Sequence, residues 1–283
     1  MVSFIILHYK NLNDTIECIE SINKLPQDKS IIVVDNGTLN EEEINTLKKY
    51  TSDLVLNKEN LGFAKGNNNG AKYAIQKYNP DFLCVINNDT LINQNNFIDE
   101  INKLYGEYQF DVLGPKILPD HSASCNPFNV YKTLDQVQER IKYTNRLIKI
   151  YKSKFLRLCL SIYLKLKKPF RKKIINTNGK EAKLNVGLHG CALIFSKKYY
   201  EKFSDVFYPN TFLFHEEEFL YLRCQKYNLV SLYSPSIEIY HKEGQSVKKE
   251  FNNHKYNGLI FRNKEILKSL KLLEQEMLKD VKK

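Results

Sequence analysis

Short apolar runs and amphipathic segments take turns along the N-terminal third of the chain. VSFIILH at 2–8, IIVV at 31–34 and FLCVI at 82–86 are almost wholly apolar and rich in β-branched residues, and DLVL at 53–56 is a shorter run of the same kind. Between them, Leu12, Ile16, Ile19 and Ile22 recur at helical spacing behind the capping candidates Asn11 to Asp14. Glu41 to Tyr50 carries acids in its first turn, which suits a helix dipole, and Asn67 to Tyr78 reads as a third helix. Strands that are apolar along their whole length are buried on both faces, as in a parallel sheet covered by helices on each side. The alternation therefore predicts an α/β chain with a mostly parallel sheet. Such sheets bind ligands beyond the carboxyl ends of their strands, here at His8-Tyr9, Asp35-Asn36, Asn57 to Asn60 and Asn87-Asn88-Asp89.

Beyond Pro119 the pattern breaks. Residues 120–183 read as helical pieces with a dense basic run, and strand signals return with LHGCALIFS at 188–196. Helices are expected at 197–203 and 215–227, the second burying Phe219, Leu220, Cys224 and Tyr227. Strands are expected at 229–233 and 237–240, and a Lys/Leu amphipathic helix from about 255. The expected divisions are 1–118, 119–184, 185–250 and 251–283.

A chain of 283 residues with 42% hydrophobic content can bury a sizeable core, which excludes a disordered polymer. No apolar run is long enough to cross a bilayer, and MVSFIILHYK lacks the basic start and cleavage site of a signal peptide, so a cytoplasmic protein is expected. Cys18, Cys84, Cys125, Cys159, Cys191 and Cys224 form no C-x-x-C pair or zinc spacing and read as core thiols in a reducing compartment. The net charge of +11 suggests an anionic partner, with a plain bias toward Lys as the alternative.

Several segments carry candidate chemistry. Asn87-Asn88-Asp89 closes the FLCVI strand, where a carboxylate can hold a hard divalent cation, although Asn-Asn-Asp-Thr is also an ordinary turn. NLGFAKGNNNG at 60–70 reads as a glycine-bearing loop entering a helix, suited to an anion but matching neither a dinucleotide fingerprint nor a Walker loop; a capped loop is the plain alternative. Glu216, Glu217 and Glu218 open a helix, either as dipole complements or with one carboxylate raised toward neutrality as a general base. His241 closes SIEIY and is either structural or a partner of Asp89 in a metal site. FLRLCLSIYLKLKKPFRKK at 155–173 interleaves apolar and cationic residues without an acid, as a helix lying in an anionic membrane interface does; a subdomain helix with a solvated basic flank is the alternative.

Taken in order, ILHYKN at 6–11, IIVVDNG at 31–37, NLGFAKGNNNG at 60–70, INNDT at 86–90, GCALIF at 190–195, FLFHEEEFLYLR at 212–223 and YHKEGQS at 240–246 resemble glycosyltransferase family 2, especially its rhamnosyltransferase-like bacterial members. The resemblance covers roughly residues 2–118 and 185–247. It implies a GT-A fold, a Rossmann-like nucleotide-sugar half joined to an acceptor half, here with a helical basic insertion and a C-terminal helix. It implies that Tyr9 and Asp35 hold base and ribose, and that Asn60 and the loop from Gly62 through Gly66 to Asn67 lie beside the nucleotide. Asn87 to Asp89 match the D-x-D element, with Asp89 as metal ligand, and His241 matches a histidine that joins the metal. Glu216-Glu217 match a Glu-Asp pair whose second member is the inverting base. Two departures stand out: the D-x-D element keeps only its last Asp, and Glu217 replaces the usual Asp, so either Glu216 or Glu217 carries the role.

The resemblance thus implies a metal-dependent (Mg or Mn) inverting transferase. It would move a sugar from a nucleoside-diphosphate sugar to a glycan or lipid-linked glycan, peripheral on the inner face of the plasma membrane and with no nucleic-acid partner. The rival readings are a sugar nucleotidyltransferase, a silent docking subunit of a polysaccharide-assembly complex, and a nucleic-acid binder.

Overall fold

The computed structural model describes residues 1–119, 126–166, 181–242 and 255–281. Its parallel half is built from β1 (Val2–His8), β2 (Lys29–Asp35), β3 (Asp53–Leu56) and β4 (Phe82–Asn87), side by side in the order β3-β2-β1-β4. The crossovers are α1 (Leu12–Asn23), α2 (Glu41–Leu47) and α3 (Gly62–Tyr78). A reciprocal capping box between Asn40 and Glu43 starts α2. His8 pairs with Asp35 and Leu7 with Asn87, so the carboxyl ends of β1, β2 and β4 finish level along one edge.

The other half of the sheet is mixed. It contains β5 (Thr90–Leu91), β6 (Val112–Pro119), β7 (Lys183–Leu184), β8 (Ala192–Ser196) and β9 (Ser231–His241). β8 runs antiparallel between β4 and β6, β9 runs parallel to β6, and β5 and β7 pair antiparallel with β9. The two strands expected at 229–233 and 237–240 are one strand, β9. Its register against β6 jumps between Pro115 and Lys116, which oppose Ser234 and Glu238, so the intervening residues, with Pro235 unable to donate to the ladder, leave the pairing.

Alternation along the strands sorts the core into two faces. Phe4, Ile6, Val33, Cys84 and Ile86 pack with Cys18, Ile19 and Ile22 of α1 and with Phe97 and Ile101 of α4 (Phe97–Tyr108). Ile5, Ile32, Val34, Leu83 and Val85 pack with Ala64, Ala71 and Ala74 of α3, Tyr199 of α7 (Lys197–Lys202) and Leu220 and Cys224 of α8 (Glu216–Lys226). A third cluster joins Val137 of α5 (Leu134–Lys152), Phe219 of α8, and Ile266, Leu270, Leu273 and Met277 of α9 (Lys255–Val281). Residues between Pro119 and Lys183 therefore contribute a helix that packs on the C-terminal helix and on α8. The short α6 (Lys154–Leu166) continues from α5.

Three expectations are corrected. The stretch 60–70 is not a loop: α3 begins at Gly62, and Gly66 and Asn67 lie in its second turn. Gly66 is there because a Cβ would stand 2.6 Å from Leu7 Cδ1, so its bare backbone lets α3 lie close on β1. Asn67 is fully buried and its amide donates to the Phe63 carbonyl at 3.0 Å. Tyr227 lies outside the buried stripe of α8 and is exposed, because the helix ends at Lys226. Cys159 is exposed on α6, while Cys18, Cys84, Cys191 and Cys224 are buried free thiols as expected; Cys125, the basic run from Lys167 to Lys173 and the GQS of the 240–246 motif lie outside the described residues.

Candidate active site

The level strand ends carry several sets of hydrogen bonds. Asp35 Oδ1 accepts from the backbone N–H groups of Thr38 at 2.9 Å and Leu39 at 3.3 Å, tying down the turn after β2. Asn36 bridges from β2 to the start of α3: its amide donates to Asn60 Oδ1 at 2.8 Å and to the Gly62 carbonyl at 3.2 Å, and its Oδ1 accepts the Leu61 N–H at 3.0 Å. Asn60 Oδ1 also accepts the Gly62 N–H at 2.9 Å. Gly62 has φ +80°, and a Cβ would stand 2.2 Å from the Phe212 carbonyl oxygen, so only glycine fits where α3 meets the 212–215 segment. Asn36 is one of the strand-end residues expected beside a ligand, and its amide ties the end of β2 to the start of α3.

Behind this edge, His8 Nδ1 lies 2.7 Å from Thr15 Oγ1, which also accepts from Asn88 Nδ2 at 3.0 Å. Burial lowers the His8 pKa against the pull of Asp35, so the ring is neutral near pH 7. Tyr9 is half-buried just past β1, with the Lys10 ammonium 4.9 Å from its ring centroid.

Asp89 and His241 meet, as the resemblance implies. Thr90 and His241 are register partners of β5 and β9, which brings Asp89 Oδ1 to 3.1 Å from His241 Nε2, both side chains largely buried. A hard carboxylate oxygen beside an imidazole nitrogen is a donor set that suits a divalent cation. Among the described residues no group of three His, Cys, Asp or Glu forms a metal cage, so a cation at this pair must draw most of its ligands from elsewhere. Lys242 fixes the end of β9 to α1, its ammonium 2.9 Å from Asp14 Oδ1 and 2.6 Å from Glu17 Oε2.

Next to this pair opens a cavity of about 460 Å³, lined by Asn87, His189 and Gly190 on the sheet side and by His215, Glu216, Glu217 and Glu218 at the start of α8. Arg140 of α5 and Arg262 of α9 complete its wall, so the helical layer outside the two sheet faces reaches the site. All three glutamates line it. Successive residues point about 100° apart on a helix, so three in a row share a cavity only when it lies off the helix end. Glu218 therefore shares the cavity with Glu216 and Glu217.

The acids differ in their surroundings. Glu217 Oε1 accepts the Gly190 N–H at 3.1 Å. Glu218 lies 3.2 Å from His215 Nδ1, and His215 is held at φ 71° as the residue before α8. Burial, and then the charge of Glu217, push the Glu216 pKa up to about 8. Burial and the Glu218 charge raise Glu217 as well, while the Gly190 N–H and His215 oppose that rise. Glu216 Oε1, Glu218 Oε2, His215 Nε2 and Arg140 Nε are buried without a hydrogen-bond partner in the protein. Arg140, His189 and Arg262 were not legible as site residues; the Arg pair sits in segments that carry no motif.

Of the sequence candidates, Asn87, Glu216 and Glu217 share the cavity, and Asp89 and His241 share one contact beside it, where the His241 ring centroid lies 6.3 Å from that of the lining His189. Asn60 and Gly62 stand at the start of α3, where the Phe63 N–H donates to the Phe212 carbonyl at 2.8 Å next to the cavity wall. Tyr9 and Asp35 lie along the strand-end edge outside the cavity lining, and Gly66 and Asn67 lie in the body of α3.

A parallel sheet continued by a mixed half, with its polar residues gathered at the strand ends, defines the GT-A class of α/β fold. The model of the glycosyl transferase family 2 matches residues 3–203, and the chain belongs to that family. Over 132 residues it is 26% identical to the low-salt glycan biosynthesis hexosyltransferase Agl10 of Haloferax volcanii, a match covering 44% of this chain and 39% of that protein. The chain thus spans well under half of that curated relative. In fold it is similar to the crystal structure of S. aureus TarS 1–349, with a TM-score of 0.51 and 13% identity, covering 93% of this chain and 64% of the TarS chain.

Proposed function

We propose that the chain is a metal-dependent inverting glycosyltransferase that moves a hexose from a nucleoside-diphosphate sugar to a glycan acceptor carried on a lipid at the cytoplasmic membrane face. A hexose and a glycan pathway are what the name of the haloarchaeal relative states of that protein. The observation that carries the reading is the acid cluster at the mouth of α8, one cavity away from the Asp89–His241 pair.

In this reading Tyr9 and Asp35 receive base and ribose, and Asn60, Gly62 and Asn87 border the diphosphate. Asp89 and His241 would hold the divalent cation, which when bound supplies positive charge to the leaving diphosphate. Glu217 is the base. Its Gly190 N–H bond favours the carboxylate, whereas Glu216, with a pKa of about 8 and no partner for Oε1, keeps its proton at neutral pH. The Glu217 carboxylate takes the proton of the acceptor hydroxyl, the hydroxyl oxygen bonds to the anomeric carbon, and the bond to the diphosphate oxygen breaks on the opposite face. One displacement inverts that carbon.

The test is transfer from UDP-, GDP- and dTDP-hexoses with Mn²⁺ or Mg²⁺, with the anomeric configuration of the product read by NMR. Retention would overturn the single-displacement mechanism. Donor binding with neither transfer nor donor hydrolysis would favour a silent docking subunit instead.

A further inference from the structure

The apolar face of α6 is absorbed by neither the core nor the cavity. Phe155, Leu158, Ile162 and Tyr163 are 71%, 58%, 49% and 54% exposed. At about 100° per residue they fall, with the exposed Cys159, on one stripe of the helix. The side that docks is the opposite one. Arg157 and Leu160 are half-buried, and the Arg157 guanidinium lies 4.3 Å over the Tyr256 ring at the start of α9. The helix is thus fastened by its back, with its apolar stripe outward.

Charge identifies what covers the stripe. From Arg140 to Lys180 the sequence has fourteen Lys and Arg and no Asp or Glu, whereas acids outnumber bases in the rest of the chain, although the whole carries +11. The basic excess is therefore local and flanks this helix on both sides in the sequence, which sets aside the compositional explanation. A nucleic acid would be met by the cations but has no use for four large exposed apolar side chains, and an ordinary protein partner does not call for so long a run without an acid. An anionic bilayer surface satisfies both, since apolar side chains enter the acyl boundary while Lys and Arg stay among the headgroups. α6 has 13 residues, and no described helix is long and apolar enough to cross a membrane, so the geometry is one of lying in the interface.

We infer that α6 seats this protein on an anionic lipid bilayer through Phe155, Leu158, Ile162 and Tyr163, with the exposed Lys152, Lys154 and Lys165 reading the headgroup charge. The seat is independent of the donor chemistry. It deepens the proposed reading by placing the carrier of the acceptor on the side of α5, the helix that leads into α6 and sends Arg140 into the cavity.

The experiment is flotation of the full chain with vesicles of phosphatidylglycerol and phosphatidylcholine, and with phosphatidylcholine alone, without donor, so that its outcome does not depend on transferase activity. Wild type should float with the anionic vesicles only, and less so as salt is raised. Phe155→Ser with Leu158→Ser and Ile162→Ser should lower partitioning by about a hundredfold at unchanged charge. Lys152→Gln with Lys154→Gln and Lys165→Gln should lower it by a similar factor, each cation near the surface being worth about fivefold. All six positions are exposed, and equal thermal unfolding of the variants checks that the fold is kept. Equal flotation of the serine variant and wild type overturns the proposal. So does binding to an oligonucleotide that only the lysine variant loses, or a dimer that the serine variant splits while wild type ignores vesicles.

Discussion

The strand-end edge and the cavity at the mouth of α8 are adjacent but treat polar groups in opposite ways. Along the edge, Asp35, Asn36, Asn60, His8, Thr15 and Asn88 bond to one another and to backbone, and the Asn36 amide alone spans β2 and α3. In the cavity, Glu216 Oε1, His215 Nε2 and Arg140 Nε are buried without hydrogen-bond partners in the protein. An unmade buried hydrogen bond costs about 1–3 kcal/mol, and such groups collect where a ligand rich in donors and acceptors will meet them. The difference separates a side held as scaffold from a side that leaves buried donors and acceptors unpaired. The edge holds shape through the bonds its groups make to one another and to backbone, and the cavity leaves several of its buried groups unpaired.

The comparison breaks most severely at Glu217. Glu217→Gln keeps size and removes the proposed base, so kcat should fall by about 10² to 10⁴ with donor affinity little changed, read by steady-state kinetics. An unchanged kcat would return the acids to a dipole role. Asp89→Ala should abolish the part of donor binding that depends on Mn²⁺, measured by titration calorimetry with and without the ion, and His241→Ala should weaken it less, because a neutral ligand contributes less charge.

Glu216 sharpens the contrast through pH. Its folded pKa of about 8 stands above the ordinary glutamate value of the unfolded chain. Between those two values the unfolded state is ionised and the folded state is not, so stability should fall as pH rises through this window and level off above about 8. Urea unfolding across pH should show that slope in wild type and a smaller one in Glu216→Gln, where the raised pKa of Glu217 still contributes. On the scaffold side, Asn36→Ala should cost about 1–3 kcal/mol of stability and lower Tm by a few degrees, with kcat less affected than in Glu217→Gln. Glu218→Gln, which also lines the cavity, should raise the acceptor KM more than it lowers kcat.

Much of this was legible from local pattern. The apolar runs marked β1 to β4, their ends marked Tyr9, Asp35, Asn87 and Asp89, and motif order marked His241 and the Glu216-Glu217 pair, because strand periodicity and motif order are written along the chain. What the chain order does not carry is what each amphipathic face packs against. The start of α3 escaped because Gly62 and Gly66 look like loop residues until Phe212 and Leu7 are seen crowding them. Glu218 escaped because a helix wheel assumes a ligand beside the helix, and this cavity lies off its end. Arg140 and Arg262 escaped because α5 and α9 reach the site by packing, with Val137, Ile266 and Leu270 against Phe219. By itself the sequence determined the parallel half of the sheet, the acids and the local surplus of positive charge, which follow from side-chain chemistry and short-range spacing. Only the tertiary structure decided which acids share a cavity, which helix leaves its apolar stripe uncovered and which arginines face the glutamates, because those outcomes depend on contacts between elements that are distant in the sequence.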